Sequence, residues 1–531
     1  MTNSSNSPNN PTIGLVELPQ LKLSDTEGND YYSLRKHEPI ISKQVLISHL
    51  QAGGFQTNFI NLRDGDYTEN YGRKIWRGIE LTKNYNGVRI ESIDPESCEV
   101  WCITVNFTLY REIAIMLLKH LASKGKPVVV GGSDAFADPQ VYLREGAAVV
   151  VVDKSGAANW PLFNYLLGKG PKEALTGVVL ADGTQYPKHK TPFHPQEWPL
   201  PSLELAKDCL GTQYWMDPFP EEFIPIGTVF TDIGCDRKCD FCQTPTYGTG
   251  YLRMTPKRVM EWLDVLIEAG AKSSVLPSDQ FLGRMIFPGG REEVLEIMKG
   301  IRERDLPILW PSGLELRKMT LGRGRNYEST DLTPDEELID ALFHWDGKRG
   351  CLAGYLPAER PIFGREAYAK LLPWQQHKRI VRRVVQTGVP MVSYGVIIGL
   401  ADDDEYSLSQ LEEALWEIYY EVKEINPSII FQVSPFSISP ILGTPQGEII
   451  RKSGLLKFDD PTIWGGFWTA SSDTKHLTYE QVSDWQFRLA KIGDSKNLQV
   501  PQRFRHLSGE AVSGKAVSGK AKNAQTVGVS V

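Results

Sequence analysis

The run Gly234-Cys235-Asp236-Arg237-Lys238-Cys239-Asp240-Phe241-Cys242 contains three cysteines with the spacing Cys-x₃-Cys-x₂-Cys. Three thiolates so close together can bind three irons of a [4Fe–4S] cluster, which normally has four cysteine ligands. No fourth cysteine lies nearby in the sequence, so one iron would stay open to another ligand. The chain has seven cysteines among 531 residues. Chance would produce this spacing in roughly one such chain in a thousand.

A structural zinc site is the alternative interpretation of the triplet. Zinc in such sites takes four ligands, and the nearest histidine, His194, lies well upstream. A zinc-bearing binding protein without catalysis therefore stays open, but a cluster accounts better for three cysteines that have no fourth partner.

The triplet, with the aromatic Phe241 before its last cysteine, resembles the signature of the radical S-adenosylmethionine (SAM) enzymes. The resemblance implies that Cys235, Cys239 and Cys242 bind a [4Fe–4S] cluster and are catalytic, and that SAM binds the open iron. In that family an electron from the cluster cleaves SAM to methionine and a 5′-deoxyadenosyl radical. The protein orients the cofactors and excludes water.

Composition and charge limit the class of protein. Hydrophobic residues make up 41% and charged residues 23% of the chain, as in an ordinary soluble protein of two to four domains. The net charge of −7 gives no general attraction to nucleic acid or to anionic membranes. No run reaches the ~20 apolar residues of a membrane helix, so we expect no membrane span. The acidic charge also argues against a nucleic-acid substrate, and we expect a small-molecule substrate.

The N-terminus and the remaining cysteines indicate the compartment. Residues 1–11 are polar and lack the apolar core of a secretory signal. The other four cysteines form no disulfide framework, which is typical of a reducing cytoplasm: Cys98, Cys102, Cys209 and Cys351. We therefore expect a cytoplasmic protein.

Residues 12–190 alternate short apolar runs with helical patterns. The predicted strands are 13–18, 55–62, 100–105, 128–130 and 148–152, and the predicted helices are 41–52, 111–123 and 142–145. Strands that alternate with helices favour an α/β fold with a parallel, doubly wound, Rossmann-like sheet. Ligands of such sheets bind at the carboxyl ends of the strands.

This half resembles the cobalamin-binding domain that precedes the catalytic domain in one large radical SAM class. Gly131-Gly132-Ser133 matches its Gly-Gly-x turn, whereas Asp153-Lys154-Ser155-Gly156 departs from its Gly-Glu-Gly-Glu loop. The Asp-x-His-x-x-Gly motif is absent, because His37, His49 and His120 lack that context. The resemblance implies that cobalamin contacts Thr104, Gly131, Gly132, Ser133, Ser155 and Gly156. A domain that no longer binds cobalamin is the alternative.

The rest of the chain divides into four predicted segments. A Pro-rich linker spans 191–222, and six strand–helix units span 223–447. These units match the partial (β/α)₆ barrel of the radical SAM core, in which chemistry occurs at the strand carboxyl ends. An extension at 448–505 is rich in aromatic residues and would help to cover the site. Residues 1–11 and the Ser/Gly/Ala/Lys tail 506–531 are expected to be disordered.

Side chains that follow the barrel strands are candidates for binding SAM. Asp279, in Ser278-Asp279-Gln280-Phe281, matches an acidic-aromatic motif of the cobalamin class and is our candidate for the SAM amino group. Glu315 would accept from the ribose hydroxyls, and Glu359 lies near the Gly-x-Glu-Ser position. Either acid could equally be an ordinary surface carboxylate. Phe241 and the backbone of Gly399 complete the predicted SAM contacts.

A further segment, residues 435–445, supports the cobalamin class. It resembles the Pro-x-Pro-Gly-Thr-Pro sequence after the sixth strand of that class, with Leu442 in place of the usual proline. The resemblance implies a cobalamin-dependent methyltransferase that acts on an unactivated carbon and is reduced by flavodoxin or ferredoxin. A cyclase like the anaerobic Mg-protoporphyrin ester cyclases, and a radical SAM enzyme without cobalamin, remain alternatives.

Overall fold

A computed structural model describes residues 11–216, 219–322, 331–360, 370–494 and 500–507. The described chain is mixed α/β, as predicted. The termini predicted to be disordered lie outside the described residues, except for residues 11, 506 and 507. Within the described part, no helix is both long and apolar enough to cross a membrane.

The front part of the chain, up to residue 186, forms ten strands and five α-helices. In chain order these are β1 (Thr12–Glu17), β2 (Gln20–Ser24), α1 (Ser42–Ala52), β3 (Gln56–Asn61), β4 (Tyr67–Trp76), β5 (Ile79–Gly87), β6 (Val100–Thr104), α2 (Arg111–Ala122), β7 (Val128–Gly131), α3 (Ser133–Ala137), α4 (Pro139–Arg144), β8 (Val149–Val151), α5 (Asn159–Leu166), β9 (Val178–Leu180) and β10 (Gln185–Tyr186).

Seven of these strands form one sheet in the order β10-β9-β8-β7-β6-β1-β3. The five predicted strands are mutually parallel, and their order is the flavodoxin-like 2-1-3-4-5. The short, largely apolar runs of β1, β6, β7 and β8 suit strands that are covered on both faces, whereas β3 at the sheet edge is more polar and partly exposed. The strands β9 and β10 add an antiparallel edge that the sequence analysis did not predict. The order reverses between β1 and β6, where ligands of such sheets bind.

A second, three-stranded antiparallel sheet, β2-β5-β4, was also missed. β4 and β5 are joined by Arg77 and Gly78, which have φ of 52° and 70°, as in a two-residue hairpin turn. Alternate residues of β5 are buried. This alternation around a short turn ending in glycine was a usable sequence signal.

The remaining elements follow in chain order. They are α6 (Leu203–Asp208), β11 (Ile226–Thr228), β12 (Asp232–Ile233), β13 (Leu252–Arg253), α7 (Pro256–Glu268), β14 (Ser273–Val275), α8 (Gly290–Glu303), β15 (Ile308–Trp310), α9 (Glu336–Phe343), β16 (Cys351–Glu359), α10 (Trp374–Gln386), β17 (Met391–Ile398), α11 (Glu405–Ile425), β18 (Ile430–Ser437), α12 (Pro445–Lys452), α13 (Pro461–Trp464) and α14 (Tyr479–Leu489).

The six predicted barrel strands form one parallel sheet in chain order, β11-β14-β15-β16-β17-β18. Because consecutive strands are neighbours and crossovers are right-handed, the connecting helices pack on one face. Capping residues mark the N-termini of two of these helices. Thr255 caps α7 ahead of Pro256, and Asp404 with Ser407 forms a capping box on α11. The strand carboxyl ends therefore meet at one edge, where the loops carry the predicted site residues.

The aromatic C-terminal extension packs against the front of the chain. The Trp76 indole donates to the carbonyl of Ala470 at 2.9 Å, and the Trp468 indole donates to Ser33 Oγ at 3.1 Å. Trp468 and Phe487 are wholly buried in the hydrophobic cluster of the front sheets. The extension therefore completes that core, and the expectation that it covers the site is not supported by this packing.

Candidate active site

The cysteine triplet lies on the loop between β12 and β13. These two short strands pair antiparallel, with Asp232 opposite Arg253, and hold the two ends of the loop together. Gly234 enters the loop with φ of 80°, and a Cβ built there would lie 1.6 Å from the carbonyl oxygen of Gly250. Only glycine fits this approach. The first barrel strand, β11, ends at Thr228, and the loop starts from β12.

All three cysteines line one cavity of about 170 Å³, referred to below as the cysteine cavity. Their thiols are free and partly exposed. The described lining contains no fourth cysteine, so the donor set fits a [4Fe–4S] cluster with one open iron. Among the described residues, no three His, Cys, Asp or Glu side chains are arranged to hold a metal ion. Cluster thiolates bind separate irons and need not converge on one point.

Burial affects the protonation of these thiols. It raises the pKa of Cys235 to about 12 and that of Cys239 to about 11. The Arg237 backbone N–H, 3.4 Å from Cys235 Sγ, and the Lys370 ammonium near Cys239 act in the opposite direction. Iron must therefore displace protons from these thiols when it binds, as at any thiolate site.

Asp279 follows β14 and lies in the wall of the cysteine cavity, as predicted from its motif. Its carboxylate accepts a 2.6 Å hydrogen bond from the backbone N–H of Gly234. Burial and the nearby Asp232 carboxylate raise the pKa of Asp279 to about 6, against the opposing effects of the Gly234 N–H and the Lys154 ammonium. A ligand ammonium in the cavity would favour the ionised form.

Glu315 also lines the cysteine cavity, but its carboxylate is already paired. It accepts from the Arg237 guanidinium at 2.8 Å and from Gln280 at 3.3 Å, and Lys318 lies 3.2 Å away. Lys318 is fully buried. Glu315 therefore fixes the position of Arg237, which lies between Cys235 and Cys239 in the sequence. The surface-carboxylate alternative is wrong for Glu315, while its contact with ribose stays a prediction.

Glu359 is the last residue of β16 and is buried in the same cavity. It has φ of 55°, which is strained for a residue other than glycine, and the pairing with β17 shifts register beside it. Its Oε1 accepts from the Lys370 ammonium, while its Oε2 is buried without a hydrogen-bond partner among the described residues. Burial raises the pKa of Glu359, and Lys370 opposes the rise. Glu359 is therefore not a surface carboxylate either.

The last two predicted SAM contacts have different surroundings. Phe241 lines the cysteine cavity, with the Lys370 ammonium 5.5 Å from its ring centroid. Gly399 is not among the residues that line this cavity, and a Cβ built on it would point toward Val482 and Ile438. The adenine contact of Gly399 therefore stays a prediction without support from the geometry.

A second cavity, of about 490 Å³, lies between the front sheet and the cysteine loop and is called here the glycine-turn cavity. All six predicted cobalamin contacts line it: Thr104, Gly131, Gly132, Ser133, Ser155 and Gly156. From the other side it is lined by Phe230, Ile233, Gly234, Tyr247, Thr249 and Asp279. None of the described residues of 448–505 lines either cavity.

The glycine turn contacts the cysteine loop directly. Gly132 has φ of 103°, and a Cβ built there would lie 2.3 Å from the Val105 carbonyl oxygen. Ser133 Oγ accepts from the Tyr247 hydroxyl at 2.8 Å, and the Ser133 carbonyl accepts from the Gln243 amide at 2.7 Å. Gln243 directly follows the last cysteine, so these bonds fix the position of the turn relative to the triplet.

The loop that departs from the Gly-Glu-Gly-Glu pattern is well organised. The Asp153 carboxylate accepts from the backbone N–H groups of Ser155, Gly156 and Ala158 at 3.0, 2.9 and 3.1 Å. It also accepts from Ser155 Oγ at 2.9 Å. One aspartate therefore closes the loop internally and leaves Lys154 to face the cavity.

His49, set aside because it lacks the cobalt-ligand motif, also lines the glycine-turn cavity. Its ring stacks on Phe193 at 4.4 Å and meets Trp160 edge-on at 4.6 Å. Burial lowers the pKa of His49 to about 4, so its imidazole is neutral near pH 7. The residue lies two turns into α1, and only the packing of that helix brings it to the cavity.

Sequence reasoning also missed four residues around the two cavities. Arg237 lies inside the triplet and could have been noticed from its position. Lys154, Tyr247 and Lys370 gave no such signal, because each belongs to a loop whose path depends on tertiary packing.

No family model matches the chain. Two curated proteins are similar in sequence. The anaerobic magnesium-protoporphyrin IX monomethyl ester cyclase of Rubrivivax gelatinosus is 22% identical over 393 residues, covering 72% of this chain and 62% of the cyclase. The hopanoid C-2 methylase of Rhodopseudomonas palustris (strain TIE-1) is 27% identical over 169 residues, covering 30% of this chain and 26% of the methylase. This chain thus spans less than two thirds of either relative.

A similar solved structure is that of OxsB, a cobalamin-dependent S-adenosylmethionine radical enzyme, with aqua-cobalamin and S-adenosylmethionine bound. The TM-score is 0.63 at 16% identity, and the match covers 90% of this chain and 65% of OxsB. At this identity the likeness shows a common fold. Together with the two relatives, it agrees with the resemblance drawn from the sequence: the chain is similar in sequence to the cyclase and the methylase and shares the fold of a cobalamin-dependent radical SAM enzyme.

Proposed function

We propose that this chain is a cobalamin-dependent radical SAM methyltransferase that acts on an unactivated carbon of a small molecule. The observation that carries the proposal is that the cysteine cavity and the glycine-turn cavity share a lining residue. Asp279 lines both the cysteine cavity and the glycine-turn cavity, and Gly234, whose backbone N–H donates to Asp279, lines the glycine-turn cavity. Groups bound in the two cavities would therefore be neighbours, as transfer of a methyl group between them requires.

The activities and ligands of the similar proteins support this proposal. OxsB binds both cobalamin and SAM, and the hopanoid relative is a methylase. The cyclase relative matches a longer part of the chain, so cyclisation is kept as an outcome of the test below.

In this proposal the cofactors, when bound, supply a 5′-deoxyadenosyl radical and a transferable methyl group. The three cysteine thiolates hold the cluster, and Asp279 holds the amino group of SAM. The Glu359–Lys370 pair offers an anion and a cation to the polar end of SAM, since both line the cysteine cavity. Arg237, anchored by Glu315, keeps the cysteine loop in place.

The glycine-turn cavity would hold cobalamin. Gly132 has no side chain, so its backbone can approach a flat ligand closely. Ser133, Ser155 and Gly156 line the same cavity. The walls of Val129, Phe163 and Trp198 are apolar and would exclude water from a reactive intermediate.

The proposal also includes a domain layout, a compartment, an electron donor and a substrate class. The predicted layout is a cobalamin-binding domain at 12–190, a linker at 191–222, a radical SAM core at 223–447 and an extension at 448–505. The enzyme would work in the cytoplasm and take electrons from a flavodoxin or ferredoxin. Its substrate would be a small molecule with an unactivated C–H bond.

The test is anaerobic reconstitution of the full chain with iron and sulfide, followed by mass spectrometry of the products formed from SAM. We expect 5′-deoxyadenosine together with S-adenosylhomocysteine, the latter only when cobalamin is added. 5′-Deoxyadenosine alone, with or without cobalamin, would indicate a cyclase or a cobalamin-free radical enzyme and overturn the methyltransferase proposal.

Paired cysteine variants control for the cluster. Cys242→Ala removes a predicted ligand and should abolish the brown chromophore and both products. Cys209→Ala changes a buried cysteine that lines neither cavity and should retain them. Zinc without iron and sulfide in the reconstituted wild type would support the binding-protein alternative.

A further inference from the structure

Lys154 lies where the front sheet meets the cysteine loop. Its ammonium donates to Ser133 Oγ at 3.0 Å and lies 4.8 Å from the ring centroid of Tyr247. The Tyr247 hydroxyl donates to the same Ser133 oxygen. Lys154 therefore contacts the glycine turn through a hydrogen bond to Ser133 and the cysteine loop through a cation–π contact with Tyr247.

Lys154 and Asp279 both line the glycine-turn cavity, and Asp279 also lines the cysteine cavity. Burial lowers the pKa of Lys154 and raises that of Asp279, and the opposite charge of each acts against the shift of the other. Asp153 adds a further attraction for Lys154, and Asp232 adds repulsion for Asp279. A cation and an anion therefore attract each other across the glycine-turn cavity.

We propose that Lys154 and Asp279 form a charge link that couples binding of a cationic amino group in the cysteine cavity to occupancy of the glycine-turn cavity. The inference rests on the proposed function, because it takes Asp279 as the partner of the SAM amino group. Lys154 is then a positioning residue: it acts on SAM through Asp279 while lying in the wall of the other cavity.

The direction of the coupling follows from electrostatics. The Lys154 ammonium and the SAM amino group compete for one carboxylate. A ligand in the glycine-turn cavity displaces water from around Lys154, which lowers the local dielectric constant and strengthens its attraction to Asp279. Cobalamin should therefore weaken the binding of the amino group, and the amino group must weaken cobalamin binding by the same factor.

The experiment measures binding to the holoenzyme with its cluster reconstituted. S-Adenosylhomocysteine is the probe, since it keeps the amino group and carboxylate of SAM and is not cleaved. Its dissociation constant is measured with and without saturating hydroxocobalamin. For the wild type we expect hydroxocobalamin to raise the constant by about threefold.

The variant Lys154→Met should bind S-adenosylhomocysteine about fivefold more tightly and should show no dependence on hydroxocobalamin. Lys154→Arg keeps the charge and should behave like the wild type. Lys188→Met is the matched control. Lys188 contacts the Tyr247 carbonyl and the Phe136 ring from the other side and lines neither cavity, so its removal should leave the coupling intact.

The possible outcomes separate this proposal from the proposed function. If the wild type binds neither probe, the proposed function fails and the charge link fails with it. If the wild type binds both probes independently, or if hydroxocobalamin tightens the binding of S-adenosylhomocysteine, only the link is overturned. Wild-type coupling retained in Lys154→Met would overturn it as well.

Discussion

The Asp279 carboxylate accepts a 2.6 Å hydrogen bond from the backbone N–H of Gly234, the residue immediately before the first cysteine of the triplet. This bond joins the loop after β14 to the start of the cysteine loop. Ser278, next to Asp279, donates to the buried Asp232 carboxylate at 2.6 Å and repeats the connection one residue away. The acid proposed to bind the SAM amino group is therefore positioned by the loop that would carry the cluster.

Asp279→Asn should weaken SAM binding without loss of the cluster. The amide oxygen can still accept from Gly234, so the loop keeps its geometry, but the attraction to an ammonium is lost. We expect the dissociation constant of S-adenosylhomocysteine to rise by about tenfold to a hundredfold, measured by equilibrium dialysis. Iron content should match that of the wild type. Unchanged affinity would remove Asp279 from the site.

Gly234→Ala and Gly250→Ala form a matched pair. Both glycines have left-handed φ, 80° and 69°, but an added Cβ collides with a carbonyl oxygen only at Gly234 and meets open space at Gly250. Gly250→Ala should cost about 1 kcal/mol of unfolding free energy, whereas Gly234→Ala should cost several and reduce the iron bound after reconstitution. Equal iron content and equal stability of the two variants would contradict the described geometry.

Lys370→Met should make the cluster harder to reduce. The Lys370 ammonium lies beside Cys239 and over Phe241, and a nearby cation stabilises the extra negative charge of the reduced cluster. Its removal should lower the midpoint potential by roughly 50 mV, measured by potentiometry with electron paramagnetic resonance. Lys370→Arg keeps the charge and should stay close to the wild type. A potential unaffected by the loss of charge would argue against this arrangement.

His49 should make the chain less stable in acid. Its folded pKa of about 4 lies below the ordinary value of 6.5, so the unfolded chain takes up the proton first. This contribution to stability is present above pH 6.5 and is lost as the pH falls toward 4, by about 3 kcal/mol. His49→Phe retains the stack on Phe193. Without added cobalamin, it should lose less unfolding free energy between pH 7 and pH 5 than the wild type. Parallel losses would contradict the prediction.

The sequence predicted the parallel strands well because their signals are local. An apolar, β-branched run such as Val128–Val130 is typical of a buried strand, and the Gly131-Gly132 turn after it marks the strand end. The edge strands β9 and β10 and the hairpin β4–β5 were missed. The strands β9 and β10 have only three and two residues, and β4 is mostly polar and exposed, so their apolar signal is weak, whereas the alternation in β5 was a usable signal.

For the site, the sequence by itself determined that three cysteines lie at cluster-ligand spacing, because that spacing is local, and the family resemblance added Asp279 and the glycine turn as predictions. Tertiary structure alone decided which charges face one another. It paired Glu315 with Arg237 and Glu359 with Lys370, and it brought Lys154 toward Asp279 across the boundary of two sheets. Such pairs join loops that are distant along the chain. Their energies depend on burial and separation, which the order of residues does not specify until the sheets have packed.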